Sequence, residues 1–217
     1  MKIADIILDW LFPSKCIFCR RVLDKTDICD DCAAKLPYTK GDSISQEFPH
    51  IKKCVAPLYY DGTVREAILR YKFWGMSVYA HRFSLFVAEC VENNLDCGDI
   101  DVISWVPLSR KRLRRRGYNQ AQLIAESVAD ELCIPAAATI RKTVDNPPQS
   151  GTKSAGERAK NVRGVYEVIS PDDIKGKAVL LIDDVVTTGA TLSECARMLK
   201  GSGALRVYCA AIARHKD

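Results

Sequence analysis

The chain has 217 residues, of which 47% are hydrophobic and 27% are charged, and its formal net charge is +5. This length suits one mid-sized domain with a small addition, and the composition is ordinary for a soluble globular protein. The net charge is too small to indicate a class of partner, and no apolar run is long enough to span a membrane.

The first twelve residues are apolar, but they do not have the features of a signal peptide. Asp5 and Asp9 interrupt the run, and no small-residue cleavage site follows it. The apolar residues recur at helical spacing, which predicts a short amphipathic helix. They are Ile3, Ile6, Ile7, Trp10 and Leu11. We therefore expect a cytoplasmic protein.

Four of the ten cysteines are clustered near the N-terminus as two Cys-x2-Cys pairs, Cys16 with Cys19 and Cys29 with Cys32. Four thiolates on two tight turns suit a tetrahedral, structural Zn²⁺. His50 or Cys54 remains an alternative fourth ligand, and a redox dithiol remains an alternative to zinc. We expect residues 1–45 to form a segment with the amphipathic helix and this site. The metal would order residues 13 to about 40, which have little apolar sequence.

The main domain is predicted over residues 54–217, where strand and helix patterns alternate. Strands are predicted at 55–60, 101–106, 136–141, 165–168, 178–182 and 205–213, and helices at 64–73, 82–92, 117–131 and 191–200. A polar linker is expected at 40–50. This alternation indicates an α/β fold with a mainly parallel sheet that is covered on both faces.

The most informative segment is residues 179–191, where a buried strand leads through two acids and a threonine-rich loop into a helix. Backbone amides before a helix N-terminus bind anions, and threonine hydroxyls add donors. The candidate phosphate ligands are Thr187, Thr188, Gly189, Ala190 and Thr191. Asp183 and Asp184 would repel a phosphate, but their carboxylates can accept hydrogen bonds from vicinal ribose hydroxyls. A sugar phosphate satisfies both halves of the motif.

This segment resembles the ribose-phosphate signature of type I phosphoribosyltransferases. The resemblance implies a diphosphate-binding loop earlier in the chain, at 107–117, and a flexible hood between the two, at 143–163, which is rich in Pro, Gly, Ser and Lys. Ser109, Arg110 and Lys111 are the candidate diphosphate ligands, and Mg²⁺ is expected with phosphoribosyl diphosphate.

Six of the seven residues from 110 to 116 are basic, more than one diphosphate requires. Such a run is either a solvated charged face or a second polyanion site, because dense Arg and Lys supply most non-specific affinity for nucleic acids. The candidates for nucleic-acid contacts are Arg112, Arg114, Arg115 and Arg116. Both readings remain open at this point.

The paired Cys-x2-Cys motifs ahead of this domain, together with residues 107–120, are similar to the ComF family of late-competence proteins. The spacing of Gln149, Arg158, Asn161 and Gly164 also fits that family. The resemblance implies a role in natural transformation, with single-stranded DNA and a helicase-like competence protein as partners. A metabolic phosphoribosyltransferase and a non-catalytic phosphoribosyl-diphosphate sensor are the alternatives.

Overall fold

The computed structural model describes residues 14–24, 26–145 and 164–216. The helix predicted over the first twelve residues lies outside this part of the chain, as do most of the predicted hood and Gln149, Arg158 and Asn161. Within the described residues, no helix is both long enough and apolar enough to cross a membrane.

A mixed, mainly parallel sheet forms the centre of the molecule. The strands are β1 (Ser45–Phe48), β2 (Ile51–Val55), β3 (Leu58–Tyr59), β4 (Val102–Trp105), β7 (Ala178–Val186) and β8 (Arg206–Arg214), with the hairpin strands β5 (Ile140–Lys142) and β6 (Tyr166–Val168) apart from them. The order is β1-β2-β8-β7-β4, and β3 pairs with the carboxyl half of β8. Within this six-stranded sheet, β1 is the one described strand that runs antiparallel to its neighbour, so the predicted fold class is confirmed.

Helices cover both faces of this sheet. They are α1 (Asp30–Ala33), α2 (Gly62–Phe73), α3 (Tyr79–Asn94), α4 (Arg110–Arg116), α5 (Gln120–Leu132) and α6 (Ala190–Gly201). Side chains alternate along β7, so neighbouring residues face opposite sides of the sheet. Leu180 and Ile182 pack in the core that α2, α3 and α5 form on one side. Val179 and Leu181 join the core with α6 and the β5–β6 hairpin. Both faces of β7 are therefore buried, as a central parallel strand requires.

Four predicted elements differ from the structure. The strand predicted at 55–60 is divided, because β2 ends at Val55 and β3 starts only at Leu58, after Pro57, which has no amide to donate. The linker predicted at 40–50 contains a 3₁₀ turn, Gly41–Ile44, and edge strand β1. The sheet therefore begins at Ser45, ahead of residue 54. The strand predicted at 136–141 is reduced to β5 and an isolated bridge between Ala136 and Ile103.

The fourth difference concerns the segment at 107–117, which is predicted as a loop but contains helix α4. The Ser109 side chain caps its N-terminus by accepting a hydrogen bond from the amide of Arg112, at 3.4 Å. Gly117 ends the helix in the left-handed conformation, with φ of 82°. Arg and Lys are good helix formers, so the basic run is compatible with a helix between these two caps.

Candidate functional site

The two acids lie within β7 rather than after it. The strand stays paired with β8 as far as Val186, so the alternation of side chains continues through Asp183 and Asp184. Asp183 lies on the α6 side of the sheet and Asp184 on the α2 side. There the Asp184 carboxylate pairs with Lys72 Nζ at 2.7 Å, and both side chains are only 16% exposed. Asp184 is therefore held in a nearly buried ion pair that the sequence alone did not reveal.

Asp183 has a strongly altered ionisation. Burial raises the pKa of its carboxyl to about 7, and repulsion by Asp184 adds to the effect. A hydrogen bond from the Asp184 amide, at 2.8 Å, and the charges of Lys72 and Arg116 oppose the rise. A carboxylate in this setting is stabilised by any added donor, and ribose hydroxyls are donors of this kind.

The threonine loop, residues 187–191, joins β7 to α6 and has one polar group without a described partner. The hydroxyl of Thr188 is buried and makes no hydrogen bond to another described residue. Gly189 caps α6 in the left-handed region, with φ of 67°, and a β-carbon there would collide with the ring of Phe48 on β1. Position 189 therefore requires glycine for two reasons. The loop also places the buried Thr188 hydroxyl, which can donate to an oxygen ligand, beside the N-terminus of a twelve-residue helix.

The basic run has two different faces. Arg112 and Arg116, one turn apart on α4, are half-buried, whereas Arg110, Lys111, Arg114 and Arg115 are exposed. The charge of Arg116 acts on both Asp183 and Asp184, and burial lowers its pKa. Its guanidinium also lies 4.7 Å from the centre of the Phe73 ring. Arg116 is one of the nucleic-acid candidates, but its half-buried guanidinium is near enough to the acid pair for its charge to act on both carboxyls.

Arg112, the other half-buried residue, is close enough to Lys142 and Asp145 to act on their ionisation. Ser109 is buried at the start of the same helix, and its hydroxyl donates a hydrogen bond to the Asp145 carboxylate. The predicted diphosphate segment therefore contacts the first residues of the predicted hood.

Lys142 is the second cation that the sequence did not reveal. It lies at the end of β5, and burial lowers its pKa to about 8, with a further contribution from the charge of Arg112. Its ammonium group is 5.4 Å from the centre of the Tyr166 ring, and the Tyr166 hydroxyl hydrogen-bonds with the side chain of Thr191. The cleft, as we call this site, thus joins the acid pair, the threonine loop and four cations: Lys72, Arg112, Arg116 and Lys142.

The four N-terminal cysteines come together as the spacing predicts. Their sulfur atoms all lie within 4.8 Å of one another, and the Sγ atoms of Cys19 and Cys29 are 3.6 Å apart. Tetrahedral zinc with Zn–S bonds of about 2.3 Å requires sulfurs roughly 3.8 Å apart. Burial alone would raise the pKa of Cys16, but hydrogen bonds from the amides of Cys19, Cys29 and Phe18 outweigh it and lower the pKa to about 6. The arrangement fits a structural Zn²⁺, and neither His50 nor Cys54 belongs to the cluster.

This zinc knuckle, residues 16–32, is attached to the main domain. The buried ring of Phe18 lies with its centre 6.5 Å from those of Phe83 and Phe86 on α3. Arg70 of α2 donates hydrogen bonds to the carbonyls of Ile17 and Phe18, at 2.8 and 2.6 Å. The apolar residues of the knuckle thereby share the core of the main domain, which explains how so polar a segment is packed.

Comparisons with known proteins agree with this arrangement. A family profile described as phosphoribosyl transferase domain matches residues 119–217, and one described as double zinc ribbon domain matches residues 7–44. The fold and the site thus define a type I phosphoribosyltransferase-like domain with an N-terminal zinc ribbon. The same pair of domains, in this order, is the arrangement that the resemblance predicts.

The chain is similar over most of its length to competence proteins of the ComF family. It is 29% identical to competence protein F of Haemophilus influenzae over 92% of this chain and 90% of that protein. It is 27% identical to competence protein ComFC of Bacillus subtilis, over 87% of this chain and 72% of that protein. The DNA utilization protein YhgH of Escherichia coli is 33% identical over about half of each chain, 50% and 48% respectively.

Solved structures show more distant similarity. An adenine phosphoribosyltransferase from Thermoanaerobacter pseudethanolicus has a TM-score of 0.42 at 14% identity, covering 79% of this chain and 95% of that one. A glutamine phosphoribosylpyrophosphate amidotransferase from Bacillus subtilis has a TM-score of 0.44 at 18% identity. This second match covers 65% of the chain but only 30% of the larger enzyme. The fold assignment rests on the family profile and the strand order.

Proposed function

We propose that the cleft binds phosphoribosyl diphosphate together with Mg²⁺. The observation that carries the proposal is the buried hydroxyl of Thr188, which has no hydrogen-bond partner among the described residues. It lies just before α6 and close in sequence to two acids that would repel a phosphate alone. The threonine loop takes the 5-phosphate, and the carboxylates of Asp183 and Asp184 take the ribose hydroxyls. Both halves of one sugar phosphate then have suitable partners.

The diphosphate group is assigned to the start of α4. Ser109, Arg110 and Lys111 remain the sequence-based candidates, and the geometry adds the half-buried Arg112 and Lys142, because each brings positive charge into the cleft. The carboxylates of the cleft are oxygen ligands of the kind that Mg²⁺ accepts, and a bound Mg²⁺ would neutralise diphosphate charge. The chain's own contribution is to bind and orient the sugar.

Titration calorimetry with phosphoribosyl diphosphate and Mg²⁺ tests this proposal. Thr188→Val keeps the shape of the loop but removes the hydroxyl, and a hydrogen bond to a charged group contributes about 1.5–3 kcal/mol. We expect the affinity to fall about tenfold or more, whereas unliganded stability is kept because the lost group has no described partner. Asp183→Asn should also weaken binding. Thr63→Val, at an exposed position on α2, is the matched control. Wild-type affinity in Thr188→Val would contradict the assignment.

The acid pair cannot be tested by neutralising both residues, because Asp184 pairs with Lys72 and its loss also affects folding. Asp183→Asn is therefore the cleaner variant. Release of pyrophosphate on incubation with a free base would favour the metabolic transferase over a binding function. Binding without turnover would favour the sensor or the competence role.

We further propose that the exposed face of α4 contacts single-stranded DNA, in a cytoplasmic role in natural competence. Arg114 and Arg115 are exposed on this face, and relatives are named competence protein F and DNA utilization protein. Arg112 and Arg116 are not assigned to this role, because they lie against the cleft. A helicase-like partner stays a prediction from the family resemblance.

The test is the affinity for a dT20 oligonucleotide across a salt series. Arg114→Gln with Arg115→Gln should weaken binding and flatten the log–log salt slope by about 0.7 for each lost phosphate contact. Binding of phosphoribosyl diphosphate should be kept, since both side chains are outside the cleft. Lys35→Gln with Lys175→Gln, two exposed lysines elsewhere, is a control for the change in net charge. Wild-type protein without salt-dependent affinity would refute the DNA role.

A further inference from the structure

The end of α2 and its connection to α3 expose an unusual amount of apolar surface. Phe73 is 52% exposed, Trp74 is 69% exposed and Val78 is 77% exposed. Two adjacent aromatic rings in water are costly, because apolar surface is more stable when it is buried. Exposed apolar patches of this kind mark sites of interaction. We call residues 73–78 the aromatic loop.

Cations from two separate regions contact the aromatic loop. The guanidinium of Arg116 on α4 stacks on the ring of Phe73, and the same helix exposes Arg114 and Arg115. On the zinc knuckle, Arg20 approaches the loop from elsewhere in the chain. Its Nη1 lies 3.8 Å from Met76 Sδ and donates a hydrogen bond to the hydroxyl of Tyr79, at 3.2 Å. The loop therefore lies between positive charge from the knuckle and positive charge from α4.

The sequence around the aromatic loop also lacks negative charge. No acidic residue occurs between Glu66 and Glu89, or between Asp101 and Glu126, so the loop and the basic helix both belong to stretches without carboxylates. A surface that combines exposed aromatic rings with positive charge on both sides suits a flexible polyanion with flat apolar groups. Single-stranded DNA has both features, since its bases are unstacked and its backbone is anionic. Double-stranded DNA hides the faces of its bases.

We propose that Trp74, with Phe73 beside it, is a base-stacking platform for single-stranded DNA whose phosphates contact Arg114, Arg115 and Arg20. This inference rests on the DNA part of the proposed function and extends it from charge to base contacts. It makes a separate energetic claim, because stacking of one base on an aromatic side chain contributes about 1–3 kcal/mol and does not involve counterion release. The aromatic loop thus supplies the part of the affinity that salt does not remove.

The decisive variant is Trp74→Ala, measured by fluorescence anisotropy with dT20 across a salt series. We expect the affinity to fall about 5- to 150-fold, the equivalent of one stacked base, with an unchanged salt slope. Trp74→Phe should restore most of the affinity, because it keeps an aromatic face. Leu205→Ala, at a residue that is 57% exposed elsewhere on the surface, is the control for loss of apolar area. Trp74 is exposed, so the melting temperature should stay unchanged.

An abasic oligonucleotide of the same length separates the outcomes. Wild type and Trp74→Ala should bind it equally, because it has phosphates but no bases. If wild type binds dT20 with a normal salt slope and Trp74→Ala binds it equally well, the platform is refuted while the charge-based DNA role stands. If wild type binds no oligonucleotide, the DNA role itself fails. Competition by polyglutamate that equals competition by dT20 would indicate an acidic protein partner and would overturn the proposal.

Discussion

The zinc knuckle and the ligand cleft are built in opposite ways. All four ligands of the knuckle come from seventeen consecutive residues, 16–32, and their geometry is set by two tight turns. The cleft takes its groups from α2, α4, β5, β7 and the threonine loop, which are far apart in sequence and are joined by the sheet. The knuckle is therefore expected to depend on its metal ion, whereas the cleft depends on correct folding of the whole domain.

Loss of the metal gives the largest expected effect. Purified protein should contain about one zinc per chain, and Cys29→Ser should lose it together with the order of the N-terminal segment, because zinc binding contributes about 10–16 kcal/mol in small zinc peptides. Metal analysis and the melting temperature measure the two effects. Cys133→Ser, at an exposed cysteine outside the cluster, is the control.

One outcome would contradict the zinc site, and another would contradict the contrast between the two regions. Fresh, reduced wild-type protein without zinc would refute the metal site. If Cys29→Ser lost phosphoribosyl-diphosphate binding as completely as it lost zinc, the contrast between the two regions would fail. Both would then act as one unit, joined by the hydrogen bonds from Arg70 to the knuckle carbonyls.

An intermediate effect is expected for the ion pair that joins α2 to β7. Removing one partner of a buried pair costs about 3–5 kcal/mol. Since Lys72 and Asp184 each keep 16% exposure, Lys72→Met should lower the free energy of unfolding by roughly 3 kcal/mol, near the lower limit. Lys216→Met breaks the exposed pair with Asp61, and this should cost much less, because solvent screens an exposed ion pair. Denaturant unfolding measures the free energy of unfolding of both variants. Equal losses of stability in Lys72→Met and Lys216→Met would show that the cleft does not depend on the pair between Lys72 and Asp184.

The last effect concerns the ionisation of Asp183, and its size depends on the pH. Its pKa is about 7 in the folded protein and 3.8 for the ordinary carboxyl, so the folded state binds the proton more tightly. This group's contribution to stability therefore falls as the pH rises from about 4 to about 7. Asp183→Asn should raise the melting temperature by roughly a few degrees at pH 8 and by less at pH 5. Asp173→Asn, at an exposed acid, is the control, and a gain independent of pH would contradict the assignment.

The same contrast explains how much the sequence predicted. The cysteine cluster and the threonine loop consist of neighbouring residues, so spacing and residue type were sufficient to find them. Lys72 and Lys142 have no local motif. Their positions depend on where α2 and β5 end relative to β7, which the strand order determines. Only a three-dimensional arrangement can show that Lys72 pairs with Asp184 and that Lys142 is near enough to Asp183 to be influenced by its charge.

Helix α4 was missed for a different reason. The family resemblance implies a diphosphate loop at the basic run, although Ser109 and Gly117 are cap signals that favour a helix. The helix turns Arg112 and Arg116 towards the cleft and leaves Arg114 and Arg115 in solvent. Without the helix, the sequence does not show which residues of the basic run share a face.

The contact between Phe48 and Gly189 has a consequence for dissecting this protein. Phe48 is the last residue of β1, which follows the zinc knuckle in the chain, and its ring packs against Gly189 of the threonine loop. A fragment cut at residue 54 would lack β1 and most of β2, and with them this contact. Such a fragment would measure the behaviour of a truncated sheet edge. The smallest piece that can report on the cleft must therefore start ahead of Ser45.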